Sequence, residues 1–194
     1  MQRKFPSITV TGAIGSGKST VCKMISERFA FLPYSTGAAQ RKIASEMGIT
    51  TLQLNKVADT DKSIDEKIDN VFKTLGKNDG PYVVDSRMAF FFMPESFKVK
   101  LEVDNECAAE RIFSDTLRTN EKKYESVEDA LNTLTERRKS EISRFKKVYD
   151  VDIEEHDNFD FVIDTTNLTP EEVFNDIMVE YQRRFGRLFH ISKK

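Results

Sequence analysis

A glycine-rich segment near the N-terminus constrains the fold of this chain more than any other feature. Residues 7–10 (SITV) are mostly β-branched, which predicts a short buried strand. Residues 18–29 carry apolar side chains at the spacing of one helix face. Between them the sequence reads GAIGSGKS from Gly12 to Ser19, which fits the pattern G-x-x-x-x-G-K-[ST] at every fixed position. Because this pattern requires a strand before it and a helix after it, the segment predicts a phosphate-binding loop.

The residue types of this loop suit a polyphosphate. Glycines leave backbone N–H groups open to approach, and the start of the following helix adds unpaired N–H donors and the positive end of its dipole. We expect Lys18 to reach the β- and γ-phosphates, and Ser19 to place its hydroxyl on Mg²⁺. The loop therefore predicts binding of ATP with Mg²⁺. The expected ATP-binding residues are Gly12, Ala13, Ile14, Gly15, Ser16, Gly17, Lys18, Ser19 and Thr20.

Along the rest of the chain, short apolar segments alternate with segments of helical periodicity. The predicted strands are residues 7–10, 31–35, 81–86, 97–103 and 159–164. The predicted helices are residues 18–29, 37–47, 51–58, 63–77, 105–118, 126–147 and 169–185. This alternation predicts an α/β fold, a three-layer P-loop sandwich in which about five parallel strands carry helices on both faces.

The composition of the chain indicates which kinds of partner it is not expected to bind. Lys and Arg number 30 against 32 Asp and Glu, so the net charge of −2 gives no electrostatic reason to expect nucleic acid. No run approaches the ~18 apolar residues of a membrane span, and the N-terminus turns into a strand too early for a signal peptide. Cys22 and Cys107 show neither zinc spacing nor a disulfide framework. We therefore expect a cytoplasmic protein that binds neither nucleic acid nor membrane.

Phosphate binding alone leaves the reaction open, because such loops serve kinases, GTPases and motor ATPases. A GTPase would carry the guanine-reading sequence N-K-x-D. The nearest segment, NKVAD at 55–59, has its aspartate one residue late and lies in a helical pattern. Asp85 ends the predicted strand YVVD, where it is either a Mg²⁺ partner or an ordinary acid at a strand end. Both interpretations of Asp85 stay open at the level of sequence.

Arginines at loop and helix positions favour phosphoryl transfer to a small acceptor. Arg41 lies on the helix after the second strand, and Arg87 directly follows the third strand. Arg137 and Arg144 are seven residues apart, so both face one side of their helix. Each arginine alone suits a surface ion pair. Together with the phosphate-binding loop, the set suits a clamp around the charge that phosphoryl transfer spreads over two phosphate groups.

On these residues the sequence from Ile8 to about Ile177 resembles the cytidylate kinases, a branch of the nucleoside monophosphate kinase family. Besides the opening strand and loop, four segments carry the resemblance. They are STGAAQRK (35–42), VVDSRMAFFF (83–92), the arginine-rich RRKSEISRFKKVYDVDI (137–153) and FDFVIDTTNLTPEEV (159–173). The arginine-rich segment is similar to the shorter, archaeal-type branch of that family.

The resemblance implies that the chain transfers the γ-phosphoryl group of ATP to a nucleoside monophosphate, CMP or dCMP, with Mg²⁺. It implies that the acceptor is bound by Thr36, Gly37, Arg41, Arg87 and Glu141. It implies that the catalytic residues are Lys18, Arg137 and Arg144. It also implies one kinase domain over residues 1–194, with an acceptor-binding helical region at about 37–80 and a mobile lid at about 115–150.

Some residues depart from the family pattern. Ser86 replaces a glycine, and Met88 and Ser140 replace an aspartate and an arginine of the bacterial branch. These departures leave the acceptor base open, so another small acceptor, or a nucleotide-binding regulator without turnover, is an alternative. Residues 43–57 also fit a helix-turn-helix, which is the DNA-binding alternative, although the second helix is poor in basic residues. We expect the basic C-terminal residues 183–194 to form a loosely ordered tail.

Overall fold

The computed structural model describes residues 5–58, 66, 70–75, 81–115, 124–186 and 188. Within these residues, five parallel strands form one sheet with the order β2-β3-β1-β4-β5. The strands are β1 (Ile8–Gly12), β2 (Leu32–Ser35), β3 (Tyr82–Asp85), β4 (Phe97–Glu102) and β5 (Phe161–Asp164). All five lie within the segments predicted as strands or overlap them, and the parallel sheet predicted from the alternation is confirmed.

Helices connect the strands, and the periodicity predicted all of them except the short helix at residues 89–92. They are α1 (Lys18–Phe29), α2 (Thr36–Glu46), α3 (Thr51–Ala58), α4 (Ala89–Phe92), α5 (Asn105–Ser114), α6 (Val127–Tyr149) and α7 (Pro170–Phe185). Residues 70–75 are also helical, and the remainder of the helix predicted over 63–77 lies largely outside the described residues. Helix α5 ends earlier than predicted, at Ser114, and residues 116–123 of the expected lid region lie outside the described residues.

Alternation along β1 gives the sheet two different faces. Ile8 and Val10 are fully buried in an apolar cluster with Ile25 of α1 and Ile177 of α7. Thr9 and Thr11 point to the other face of the sheet, where they bond to the polar groups of Ser96 and Ser86. Because α1 and α7 fill one face with apolar contacts, the polar groups of the second face are left to build a site.

The helix-turn-helix spacing of residues 43–57 is produced by helices that pack on the sheet. The chain turns between α2 and α3 at Gly48, which has a φ of 67°. Ala44 of α2 and Leu54 of α3 are buried in one cluster with Val84 of β3. Packing against the sheet therefore accounts for their apolar positions.

Two expectations about the surface can be compared with the structure. Among the described residues, no helix combines the length and the apolar character needed to cross a bilayer. Helix α7 includes residues 183–185 of the expected C-terminal tail, and Leu188 is buried in the apolar cluster of Ile8 and Ile177, so this part of the tail is more ordered than predicted. Residues 187 and 189–194 lie outside the described residues.

Candidate active site

The loop of residues 12–19 joins β1 to α1, and its glycines meet different demands. Gly15 and Gly17 have φ angles of 84° and 87°. A Cβ on Gly12 would overlap the carbonyl oxygen of Leu101, and a Cβ on Gly15 would lie 2.8 Å from the carbonyl oxygen of Ala108. A Cβ on Gly17 would meet nothing within 4 Å. Gly12 and Gly15 thus let the loop pack against β4 and α5. From the sequence alone, these glycines had been explained only by the access that they give a phosphate to the backbone.

The start of α1 offers donors to an anion. Gly17 is the N-cap residue and no side chain caps the helix there. The ammonium group of Lys18, whose residue is 8% exposed, donates a hydrogen bond to the carbonyl oxygen of Ala13 at 2.6 Å. Ser16 donates to the same oxygen at 2.9 Å. The lysine side chain therefore folds back over the loop.

Ser19 and Asp85 form a polar pair next to the loop. Asp85 ends β3, the neighbour of β1, and lies opposite Val10 in the register. The hydroxyl of Ser19 donates to Oδ2 of Asp85 at 2.5 Å, and the carboxylate is largely buried. Of the two interpretations of Asp85, a Mg²⁺ partner suits this geometry better than an isolated acid at a strand end.

This pair fits Mg²⁺ held together with a nucleotide. Hydroxyl and carboxylate oxygens are ligands that Mg²⁺ prefers, and the ion usually takes few ligands from the protein and completes its shell with phosphate and water. Within the part of the chain that the structure describes, no group of three or more His, Cys, Asp or Glu side chains could hold a metal by itself. A Mg²⁺ ion at Ser19 and Asp85 would therefore depend on the phosphates of a bound nucleotide.

Two of the sequence-predicted arginines meet at one carboxylate. Arg87 forms an ion pair through Nε with Oε2 of Glu141, and Nε of Arg137 donates to Oε1 of Glu141 at 3.1 Å. Burial by itself would raise the pKa of Glu141, but the charges of Arg87 and Arg137 hold it below its ordinary value. Two cations against one anion leave a net positive charge. This charge lies at a cavity that Ala13 and Ile14 of the phosphate-binding loop also line.

A second cavity extends from this cluster towards α2, with an empty volume of about 440 Å³ that includes open solvent. We call it the acceptor cavity, and its lining residues are Thr36, Gln40, Phe72, Ser86, Arg87, Met88, Glu141, Arg144, Phe145 and Tyr149. The hydroxyl oxygen of Thr36 is buried and makes no hydrogen bond to a described residue. A ligand oxygen in the cavity would give this hydroxyl a partner.

The structure brings most of the predicted acceptor residues to this cavity. Thr36, Arg87 and Glu141 line it, together with Arg144 from α6. Gly37 and Arg41 lie on the same helix as Thr36 but are not among the lining residues. The guanidinium of Arg41 packs over Gly37, with Nη1 3.3 Å from the position of a Cβ on that glycine. Their acceptor roles stay predictions.

Two of the residues that depart from the family pattern, Ser86 and Met88, line the acceptor cavity. The hydroxyl of Ser86 accepts a hydrogen bond from the backbone N–H of Met88 at 3.2 Å and so braces the turn after β3. Met88 is 5% exposed and packs with Phe90 and Phe145. Ser140 is exposed on α6. The cavity wall is therefore more apolar where the bacterial branch places an aspartate.

A cleft on the other side of the loop was missed by sequence reasoning. Its lining residues are Gly15, Ser16, Gly17, Thr20, Val21, Arg111, Ile112, Asp115, Thr165, Leu168, Pro170 and Val173, around an empty volume of about 790 Å³. Arg111 of α5 donates to the carbonyl oxygens of Gly15 at 3.3 Å, Thr165 at 2.8 Å and Thr166 at 3.1 Å. We call it the Arg111 cleft. No motif marks Arg111, because its partners lie 54 to 96 residues away along the chain.

Comparisons with known proteins agree with this geometry. Residues 8–142 match the family model described as "AAA domain". A cytidylate kinase of Natronomonas pharaonis is 34% identical over 168 residues, covering 86% of this chain and 84% of that one. A cytidylate kinase of Methanocaldococcus jannaschii is 33% identical over 179 residues, covering 87% and 93%. In fold, the chain is similar to a shikimate kinase of Aquifex aeolicus (TM-score 0.55, 20% identity, 93% and 99% covered).

Proposed function

The chain belongs to the cytidylate kinase family and is an ATP-dependent phosphotransferase, and from this premise we propose that it transfers the γ-phosphoryl group of ATP to CMP or dCMP. The products are ADP and the nucleoside diphosphate. The family model covers residues 8–142, which include the loop after β1 and the first part of helix α6.

One observation carries the proposal. Arg87 and Glu141 line both the acceptor cavity and the cavity that Ala13 and Ile14 of the phosphate-binding loop border. Direct transfer requires the donor and acceptor phosphates to meet with little space between them. A cationic cluster that borders the loop on one side and the acceptor cavity on the other is where such a meeting would occur.

The residues divide into donor and acceptor roles. The loop amides and Lys18 would hold the ATP phosphates, and Ser19 and Asp85 would hold Mg²⁺. When bound, Mg²⁺ neutralises charge on the donor phosphates. On the acceptor side we assign the monophosphate to Thr36, Arg87 and Arg41.

The two arginines of α6 would complete the clamp. We assign Arg137 and Arg144 to the charge that develops on the transferring group. No general base is required, because the acceptor phosphate is already an anion. Displacement of Glu141 from Arg87 by the arriving phosphates would release that guanidinium for binding.

The wall of the acceptor cavity supports a nucleoside acceptor. Phe72, Phe145 and Tyr149 offer aromatic surface, which suits the flat face of a base. Gln40 adds an amide that can both donate and accept hydrogen bonds at a base edge. The aromatic surface favours a base-bearing acceptor over a small polyhydroxylated acid of the kind that a shikimate kinase uses.

An acceptor screen tests the proposal. ADP formation would be followed with ATP and Mg²⁺ and with CMP, dCMP, UMP, AMP, GMP or shikimate as acceptor. We expect the highest kcat/KM with CMP or dCMP, and the Arg87→Ala variant should lose kcat by about 10²–10³-fold, as for removal of one transition-state donor. Absence of ADP with every monophosphate, while ATP still binds, would support the regulator alternative. A preference for another monophosphate would replace CMP as the acceptor.

A further inference from the structure

A second ion-pair cluster, formed by Lys100, Glu102, Arg138 and Glu154, lies beside the phosphate-binding loop. Lys100 of β4 is 3% exposed and lies on the polar face of the sheet. Its ammonium group donates to the backbone carbonyl oxygen of Glu154 at 2.8 Å and to Oε2 of Glu154 at 3.2 Å. It also lies 3.3 Å from Oε1 of Glu102. A buried ammonium needs such partners, so Lys100 fixes the position of Glu154 against the sheet.

The same carboxylate holds helix α6. Nη2 of Arg138 donates to Oε2 of Glu154 at 2.8 Å, and Nε of Arg138 donates to Oε1 at 3.3 Å. Two-point, charge-assisted pairing of this kind fixes orientation as well as distance. Glu154 is therefore a bridge between β4, which carries Lys100, and α6, which carries Arg138.

The segment that carries Glu154 is itself held in place. The backbone N–H of Glu154 donates to Oδ1 of Asp152 at 2.8 Å, and the amide of Asn158 donates to the backbone oxygen of Asp152 at 2.8 Å. Ile153 is buried with Met88 and Phe145. The carboxylate of Glu154 thus acts from a braced segment and not from the end of a free loop.

The cluster adjoins the proposed reaction site. Lys100 pairs in the register with Thr11, the residue before the first glycine of the loop. A small cavity is lined by residues from the loop, the cluster and the arginine–glutamate group: Thr11, Gly12, Ala13, Arg87, Lys100, Arg138, Glu141, Ile153 and Glu154. Arg138 is the neighbour of Arg137 and lies one turn before Glu141. Holding Arg138 therefore sets where that turn of α6 lies above the loop.

We propose that Glu154 is a positioning residue for phosphoryl transfer, which acts by clamping Arg138 of α6 to the buried Lys100. The clamp fixes the turn of α6 that carries Arg137 and Glu141 over the phosphate-binding loop. This inference rests on the proposed function, because it concerns the placement of cations for that transfer. A displacement of about 1 Å of a group that stabilises a transition state can lower a rate by ~10²-fold. The clamp thus acts on kcat and not on the binding of either substrate.

The test compares Glu154→Gln, Arg138→Ala and the double variant in the ADP-formation assay. We expect Glu154→Gln to lower kcat by about 10-fold, with both KM values changed by no more than ~2-fold, because the interaction matters only in the transition state. The double variant should be no slower than Arg138→Ala alone, since Glu154 acts through Arg138. Lys100 keeps Glu102 and the backbone oxygen of Glu154 as partners, so the variant should fold.

The matched control is Glu180→Gln. Glu180 of α7 also pairs with two cations, Arg183 and Arg184, but belongs to no cavity described above. We expect the kcat of Glu180→Gln to equal that of the wild type. Thermal unfolding of every variant measures whether a loss of activity comes from a loss of stability.

The inference is overturned by an unchanged kcat in Glu154→Gln or in Arg138→Ala. It is also overturned if the effects of the two substitutions on kcat multiply in the double variant, or if the loss of activity equals the loss of folded protein. Absence of wild-type transfer to any monophosphate contradicts the proposed function itself and is seen before a variant is measured.

Discussion

The hydroxyl of Ser19 donates a 2.5 Å hydrogen bond to Oδ2 of Asp85, across 66 residues of sequence. The two residues come from different parts of the chain, since Ser19 lies in the first turn of α1 and Asp85 ends β3, the strand next to β1. Their oxygens converge where the phosphates of a nucleotide on the loop would lie. The predictions that follow begin with this pair.

Asp85→Asn should raise the Mg²⁺ concentration required for half-maximal activity and lower kcat. The amide has no negative charge to offer the cation, and Mg²⁺ favours carboxylate oxygen. A titration of activity with Mg²⁺ at saturating ATP measures this shift. Asp164→Asn is the matched control, because Asp164 also ends a strand but, among the residues that the structure describes, accepts hydrogen bonds from Thr166, at 2.9 and 2.6 Å, and not from Ser19. An identical Mg²⁺ requirement in the Asp85 variant and the wild type would contradict the prediction.

Gly15→Ala should destabilise the protein more than Gly17→Ala. Both glycines have left-handed φ angles, so both substitutions cost about 1–2 kcal/mol of backbone strain. Only the Cβ on Gly15 would also press on the backbone of Ala108, at 2.8 and 2.9 Å. Thermal unfolding without nucleotide measures the difference. Equal losses of Tm would show that α5 yields to the added methyl group.

Stability should fall in acid partly through Glu141. Because the pKa of Glu141 is lowered in the folded protein, its pairing with Arg87 and Arg137 stabilises the fold above the ordinary glutamate pKa of about 4.3. This contribution is lost as the pH falls through the lower folded pKa. Glu141→Gln should therefore show a smaller loss of Tm than the wild type between neutral pH and pH values below about 4. Parallel curves for the two proteins would rule out this contribution.

Arg111→Ala should weaken ATP binding more than acceptor binding. The guanidinium ties Gly15 of the loop to residues 165 and 166, and it lines the Arg111 cleft beside Thr20. Hydrogen bonds to charged groups are worth about 1.5–3 kcal/mol, so we expect the KM for ATP to rise by about 10-fold or more. Initial rates at varied ATP and varied acceptor separate the two constants. Arg183→Ala, on the exposed side of α7, is the control, and a rise in the acceptor KM alone would contradict the expectation.

The sequence alone predicted the features that depend on neighbouring residues. The strand before Gly12, the helix from Lys18 and the spacing between them are local properties of the backbone, so the phosphate-binding loop was found without a structure. The alternation of strands and helices similarly predicted the parallel sheet, because a crossover between parallel strands needs a helix of this length.

The tertiary structure decided the relations between residues that are distant in sequence. Arg87 pairs with Glu141, and Arg111 donates to the carbonyl oxygen of Gly15. The local periodicity of the sequence does not indicate which of these groups will be partners. The same holds for Ala44 and Leu54, whose spacing suited a DNA-binding motif until their burial against β3 explained it. Secondary structure follows from short-range backbone geometry, whereas a site of charged groups follows from how sheet order places separate elements side by side. The loop was therefore determined by sequence, and the pairing of Glu154 with Arg138 and Lys100, the acceptor cavity and the Arg111 cleft by the fold.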